Sequence, residues 1–375
     1  MTRLSRLAIL ISLGAMTRPT SARADDLPPL SIYGFARLDA IADTAQMSDI
    51  AQARFVLPRD PTAHDDGELT LTPRLSRIGL GIDAWELTPG ITSDGKVEVD
   101  FAGGSNMTTL RLRQAYASIH LEHAIELVAG QTADLISPLV PSVQNDTQLL
   151  YAGNTGDRRP QLQLSITPGD HVRIAGAVAA AGALSASDAD HDGRIDGMAN
   201  LQPMVQWLVE YRQRQAGDVL RFGVWGHVAQ PEFASGMQYT SASGGLHLYL
   251  PLLTRLVALG EAYFGSDLAD IGGGLDQSYN LTERRAIRGA GGWGELAAMP
   301  SDRHIVAIGA TVDTARASDL PTGDPERNQT IYGVVRYKPV PALQFGVEYL
   351  SWRTRYKDAG DATASRVDLH LSVFF

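Results

Sequence analysis

Charged residues stand one place apart inside apolar runs along much of this chain. Leu110-Arg111-Leu112-Arg113, Val97-Glu98-Val99-Asp100, Val172-Arg173-Ile174 and Val335-Arg336-Tyr337 are the clearest cases. A period of two sends neighbouring side chains to opposite faces of a strand. The charges therefore gather on one face and the aliphatic groups on the other. Rows of fixed charge along water set a field and sort small ions. No G-x-S-x-G turn and no H-E-x-x-H helix accompanies them, so a hydrolase has little support.

Parity then gives a candidate list for the wet face. Arg37, Arg77, Arg111, Arg113, Arg173, Arg212, Arg221 and Arg336 stand with Asp39, Asp83, Glu98, Asp100, Glu210, Glu261, Asp313 and Glu348. Gln206, Gln344, Asp368 and His370 fall on the same face. The plain alternative for any one arginine is a wall salt bridge. Arg77, Arg111 and Arg113, on the second and fourth strands, are read together as a basic patch. Only Trp225, Tyr249 and Tyr33 are expected among the inward aromatics, too few for a sugar track. One stretch offers a different chemistry: Asp188, Asp190 and Asp192, with Gly193 and Asp196, have calcium-loop spacing. Ala199 stands where a bidentate Glu would be needed, so a weak structural Ca²⁺ site or a solvated acidic loop are the two readings. No other cofactor is expected.

The elements that carry these residues are strands. IYGFARLDA, SRIGLGIDAW, KVEVDF, TLRLRQAYASIHL, IELVAGQ and PQLQLSI come first, and the alternation continues to VDLHLSVFF, about sixteen segments in all. Tight connections such as LTPG (87–90), PGD (168–170) and RQAGD (214–218) alternate with long polar ones at 43–69, 136–158, 182–201, 266–286 and 314–329. The fold class read from this is all-β: a transmembrane antiparallel up-and-down β-barrel with short periplasmic turns and long extracellular loops. A soluble sandwich or propeller also alternates. However, an arginine facing lipid near the midplane costs about 2–4 kcal/mol, so half a dozen must line water. In a closed barrel the last strand pairs with the first, and the terminal Phe375 is then a paired edge.

The front of the chain fits export. Arg3 and Arg6 precede an apolar run from Leu7 to Met16, and Ala22-Arg23-Ala24 precedes Asp25, so residues 1–24 read as a signal peptide. Ten apolar residues are too few for a membrane helix. The net charge is −10 over 375 residues, and the four arginines of 1–24 leave −10 − 4 = −14 for residues 25–375. That acidity disfavours nucleic acid as a partner. The absence of cysteine argues against a disulfide-stapled fold.

IYGFARLDA, SRIGLG, LRQAYASI, VAGQTADL, GEAYFG, GGWGEL and FGVEYLSW resemble strand motifs of Gram-negative sixteen-stranded outer-membrane porins, the DcaP-type porins above all. DcaP-type chains often carry an N-terminal coiled coil; here only DDLPPLS separates residue 24 from the first strand. The resemblance implies a homotrimer in outer-membrane lipid and lipopolysaccharide. It also implies a C-terminal strand read by the assembly machinery, and a loop after the fifth strand that narrows the channel. That loop would be 137–159, with Asp146, Asp157, Arg158 and Arg159 at the constriction. The porin motif PEFGG is absent from it, and an ordinary outer loop is the alternative. The expected function is passive diffusion of small hydrophilic solutes, leaning to small anions such as dicarboxylates. A sugar or phosphate channel is the second reading, and an outer-membrane enzyme or adhesin the third.

Overall fold

The computed structural model describes residues 28–49, 53–59, 67–103, 108–122, 124–144, 148–182, 202–233 and 236–375. The signal segment 1–24, Asp146 and the calcium-like stretch 188–196 lie outside the described residues.

Sixteen antiparallel strands close into one barrel. They are β1 (Leu30–Asp43), β2 in two pieces (Glu68–Thr72 and Arg77–Thr88), β3 (Ile91–Asp100), β4 (Arg111–Leu121), β5 (Ile125–Ala133) and β6 (Arg158–Ile166). Then follow β7 (Val172–Ala179), β8 (Met204–Gln215), β9 (Asp218–Ala229), β10 (Ser241–Leu253) and β11 (Leu256–Ser266). The last five are β12 (Arg288–Ser301), β13 (His304–Ala315), β14 (Pro325–Val340), β15 (Leu343–Tyr356) and β16 (Gly360–Phe374). The sixteen alternating segments of the sequence correspond to these strands one for one. Pro73 falls in the break of β2, where a residue without an N–H cannot continue the ladder.

β16 pairs with β1 from Phe35↔Phe374 to Asp43↔Arg366. Phe375 exchanges backbone hydrogen bonds with Gly34, each 3.1 Å. The barrel therefore has no open edge, which is what lets its backbone polar groups sit in hydrocarbon. Leu369, Leu371 and Val373 are exposed, while Asp368, His370 and Ser372 between them are buried. Trp85, Tyr211, Tyr337 and Phe345 stand outward near the short turns, where an aromatic girdle belongs.

The interior is not an empty tube. Met47, Ala53 and Val56 from the β1–β2 connection join Val143, Leu149 and Ala152 from the β5–β6 connection in one apolar cluster with Tyr332, Leu350 and Trp352 of the wall. A second cluster holds Leu135 and Ile136 against Leu208, Trp225, Tyr263 and the short turn Leu268–Ile271. Three inward-folded connections, β1–β2, β5–β6 and β11–β12, thus share two small apolar clusters with the wall inside the barrel.

Candidate functional site

The β5–β6 connection turns into the barrel, and three wall carboxylates hold it. Glu261 on β11 accepts a hydrogen bond from Leu139 N–H at 2.8 Å and another from the Ser137 hydroxyl. Glu295 on β12 accepts from Ser142 N–H at 2.8 Å and from its hydroxyl at 2.5 Å. Glu348 on β15 accepts from Gln144 N–H at 2.7 Å. A loop without strand partners needs acceptors for its N–H groups, and charged acceptors are the strong ones. The β1–β2 connection is fixed similarly: Val56 N–H donates to Thr354 Oγ1 at 3.0 Å, and Tyr356 donates to Val56 C=O at 2.6 Å.

The loop's own charges are placed differently from the expectation. Arg159 is wholly buried. It donates to Asp134 at 2.8 Å and to the Asp270 carbonyl at 2.6 Å, so it locks the loop base and cannot meet solute. Asp157 is paired with Arg158, and among the described residues of the loop only these two charges keep partial exposure.

The three arginines read as a basic patch sit around acids on the strand between them. Arg111 grips Asp100 at 2.9 and 2.8 Å through Nε and Nη2. Arg113 donates to Glu98 at 2.8 Å and Asp100 at 2.9 Å. Arg77 lies 3.5 Å from Glu98. Lys96, 3.6 Å from Glu98, completes a mixed network rather than an uncompensated patch. Toward the short-turn end the ladder is more basic. Arg221 stands across from Arg212, and Arg173 across from Glu210. Arg212 and His247 share Glu210, while Arg221 lies 4.9 Å over the Tyr249 ring and joins no ion pair among the described residues.

Beside the loop remains a cavity of about 820 Å³. Six arginines border it (Arg54, Arg111, Arg158, Arg173, Arg212 and Arg221) against four carboxylates, Glu126, Asp134, Asp157 and Glu210. Arg54 comes from the β1–β2 connection, pairs with Asp276 and lies 4.5 Å over the Tyr151 ring. Sequence parity could not find it, because it is on no strand. Burial pushes the Asp276 carboxyl above its usual range, against the opposing pull of Arg54.

Other candidates lie away from this cavity. Arg37 is bound to Asp39, and Arg336 is 3.9 Å from Glu348, all four buried beside Gln144 of the loop. Asp313 accepts from Gly274 and Leu275 N–H at 3.2 and 3.1 Å, anchoring the β11–β12 connection. Asp83 is exposed and receives only Ser31, because β2 is irregular between Ile82 and Trp85. The inward aromatics also exceed the three expected. Tyr263, Trp293, Tyr332 and Trp352 are buried inside as well, and parity from Glu261 and Arg336 already puts Tyr263 and Tyr332 there. Several lie over a glycine one strand away. A Cβ on Gly245 would come within 2.2 Å of Trp225, and one on Gly309 within 2.3 Å of Tyr332.

No protein-family model and no curated relative matches the sequence. Solved structures do match the fold. The outer-membrane channel DcaP of Acinetobacter baumannii superposes with a TM-score of 0.78 at 16% identity, covering 94% of this chain and 99% of that one. An anion-selective porin from Comamonas acidovorans gives 0.61 at 11%, covering 92% and 99%. OmpT of Vibrio cholerae, in its trimer form, gives 0.57 at 12%, covering 93% and 100%. With its closed sixteen-stranded wall and inward loop, the chain has the fold of the outer-membrane porins.

Proposed function

We propose that the chain is a passive diffusion channel of the bacterial outer membrane for small hydrophilic solutes, with a preference for small anions such as dicarboxylates. The observation that carries the preference is the cavity beside the inward loop, bordered by more guanidiniums than carboxylates. Clefts lined by one sign of charge concentrate the opposite ion. Arg173, Arg212 and Arg221 supply the attraction, and the loop from Ser137 to Arg159 narrows the path. Arg111 and Arg113 position solute through the little charge that Glu98 and Asp100 leave them. The buried aromatics pack against the loops and offer no exposed track, so a sugar channel has no specific support. Export through residues 1–24, assembly through the C-terminal strand and a homotrimer among lipid and lipopolysaccharide belong to the same reading.

Planar-bilayer conductance of the refolded protein under a salt gradient tests it. Discrete steps, an anion-directed reversal potential and partial block by succinate are expected. Steps without ion preference would sink the anion reading, and a folded barrel without steps would sink the channel.

A further inference from the structure

The seam that closes the barrel carries a cluster that permeation does not use. Asp39 on β1 stands across from His370 on β16, and Asp368 stands across from Glu348 on β15. Asp39, Asp368 and His370 each present a ligand atom, all within 4.8 Å of one another. Asp39 and Asp368 are 1% exposed and His370 4%.

Their hydrogen bonding is incomplete in a telling way. Arg37 Nε donates to both oxygens of Asp39, at 2.8 and 3.0 Å. Its approach to Asp368 is only 3.9 Å, and neither oxygen of Asp368 has a hydrogen-bond partner. Nδ1 of His370 and Oε2 of Glu348 have none either, and Nε and Nη2 of Arg336 beside Glu348 are also without one. Buried carboxylate oxygens without donors are costly, so a resident cation or proton is called for. Charge points the same way. Three carboxylates (Asp39, Glu348, Asp368) face two guanidiniums (Arg37, Arg336), and Arg366 nearby is matched by Asp43, leaving one negative charge over. The His370 ring is held in place as well: it lies over Gly346, where a Cβ would come within 2.0 Å of ring atoms.

We propose that Asp39, Asp368 and His370 form a site for a divalent first-row transition metal of the Zn²⁺ class, clipping the first strand to the last. Two carboxylates and an imidazole suit such an ion, whereas Ca²⁺ and Mg²⁺ take oxygen ligands. The site sits beside Gln144 of the inward loop. Gln144 donates through N–H to Glu348 at 2.7 Å and accepts from Gln344 Nε2 at 3.2 Å, and Gln344 Nε2 is 3.3 Å from His370 Nε2. Metal would therefore tie the barrel seam and the loop anchor together.

The test uses the whole refolded barrel in detergent, stripped with EDTA and titrated with ZnCl₂ by calorimetry. Asp368→Asn and His370→Gln are titrated beside it, each first shown folded by heat-modifiable migration in gels. One equivalent of Zn²⁺ is expected, with affinity falling at least roughly tenfold in either variant. Co²⁺ loaded in place of Zn²⁺ should give a visible absorption band that changes in His370→Gln. Absence of stoichiometric Zn²⁺ binding overturns the proposal and leaves a shared proton as the resident of the cluster. So does undiminished binding in the folded variants. Because Asp368→Asn is nearly isosteric, its folding keeps the test decisive even if His370→Gln does not fold. Channel conductance is no part of the readout, so the result stands apart from the permeation reading.

Discussion

The two halves of the inner wall use charge in opposite ways. From β3 to β9 five arginines border the cavity, Arg111, Arg158, Arg173, Arg212 and Arg221, against four carboxylates, and the arginines keep some contact with water. From β11 to β16 the key charges are carboxylates, and Glu261, Glu295 and Glu348 are buried beneath the loop they hold. The difference follows from what a folded-in loop has to offer. Backbone N–H groups need acceptors, so the carboxylate wall becomes a mounting, while the guanidinium wall faces the cavity that the loop leaves. The largest expected effect comes from breaking the mounting. With Glu261, Glu295 and Glu348 all changed to Ala, the loop loses charge-assisted bonds worth about 1.5–3 kcal/mol each. Single-channel recording should then show a severalfold larger and noisier conductance; unchanged steps would mean that the apolar cluster around Leu149 alone fixes the loop.

The second break concerns the mounting side's own strands. Arg366 and Asp43 form a bidentate pair across the seam, both donor–acceptor distances 2.8 Å, with both side chains buried. Arg366→Met leaves Asp43 buried without its cation, a loss of about 3–5 kcal/mol. The temperature at which the heat-modifiable band unfolds should drop clearly. Arg353→Met, which breaks a pair with Asp361 at an exposed arginine, should move it little, since water and salt screen such a pair and it gains little over hydration. Equal shifts would contradict the contrast between buried and exposed pairs.

The third sharpens the solute side. Replacing Arg173, Arg212 and Arg221 by Ser should lower anion preference roughly tenfold, read as a reversal potential moving toward cations. The paired change Asp100→Asn with Arg111→Gln removes one charge of each sign and should leave it nearly still. If the paired change moves selectivity as far, the network on β2 to β4 governs permeation and the basic ladder does not.

Much of this was legible beforehand, and the reason is the lipid. A strand with hydrocarbon on one side must alternate, so Leu110-Arg111-Leu112-Arg113 declares both its secondary structure and its faces. What parity cannot state is whom a side chain meets. Arg77, Arg111 and Arg113 read as a patch until the register and side-chain contacts put Glu98 and Asp100 of β3 between Arg77 and the other two. Arg159 read as a constriction residue because a sequence does not reveal that Asp134 and Asp270 enclose it. Arg54 escaped entirely, since an irregular segment has no period, and its place over Tyr151 depends on two loops folding in together.

The smallest effect is at the long-loop end, outside the spanning strands. Asp319 is held by Arg288 through Nε and Nη2, both 2.7 Å, and the Asn280 side chain binds its carbonyl at 2.8 Å. The Arg288 hydrogen bonds pull its carboxyl down to about 2, below the ordinary value near 4. A depressed carboxyl adds stability that is complete above its unfolded value and is lost as pH falls through the folded one. The connection 267–287 should therefore stay docked at pH 4 and loosen toward pH 2. Pepsin digestion across that window should cut within 267–287 or 316–324 increasingly as pH falls toward 2. In Asp319→Asn, which cannot ionise, cutting should already be raised at pH 4 and should lose the part of its pH dependence that exceeds the protease's own. A wild-type and variant pair with the same profile would show that the apolar packing of Leu275, Ile287 and Leu320 holds this loop without the ion pair.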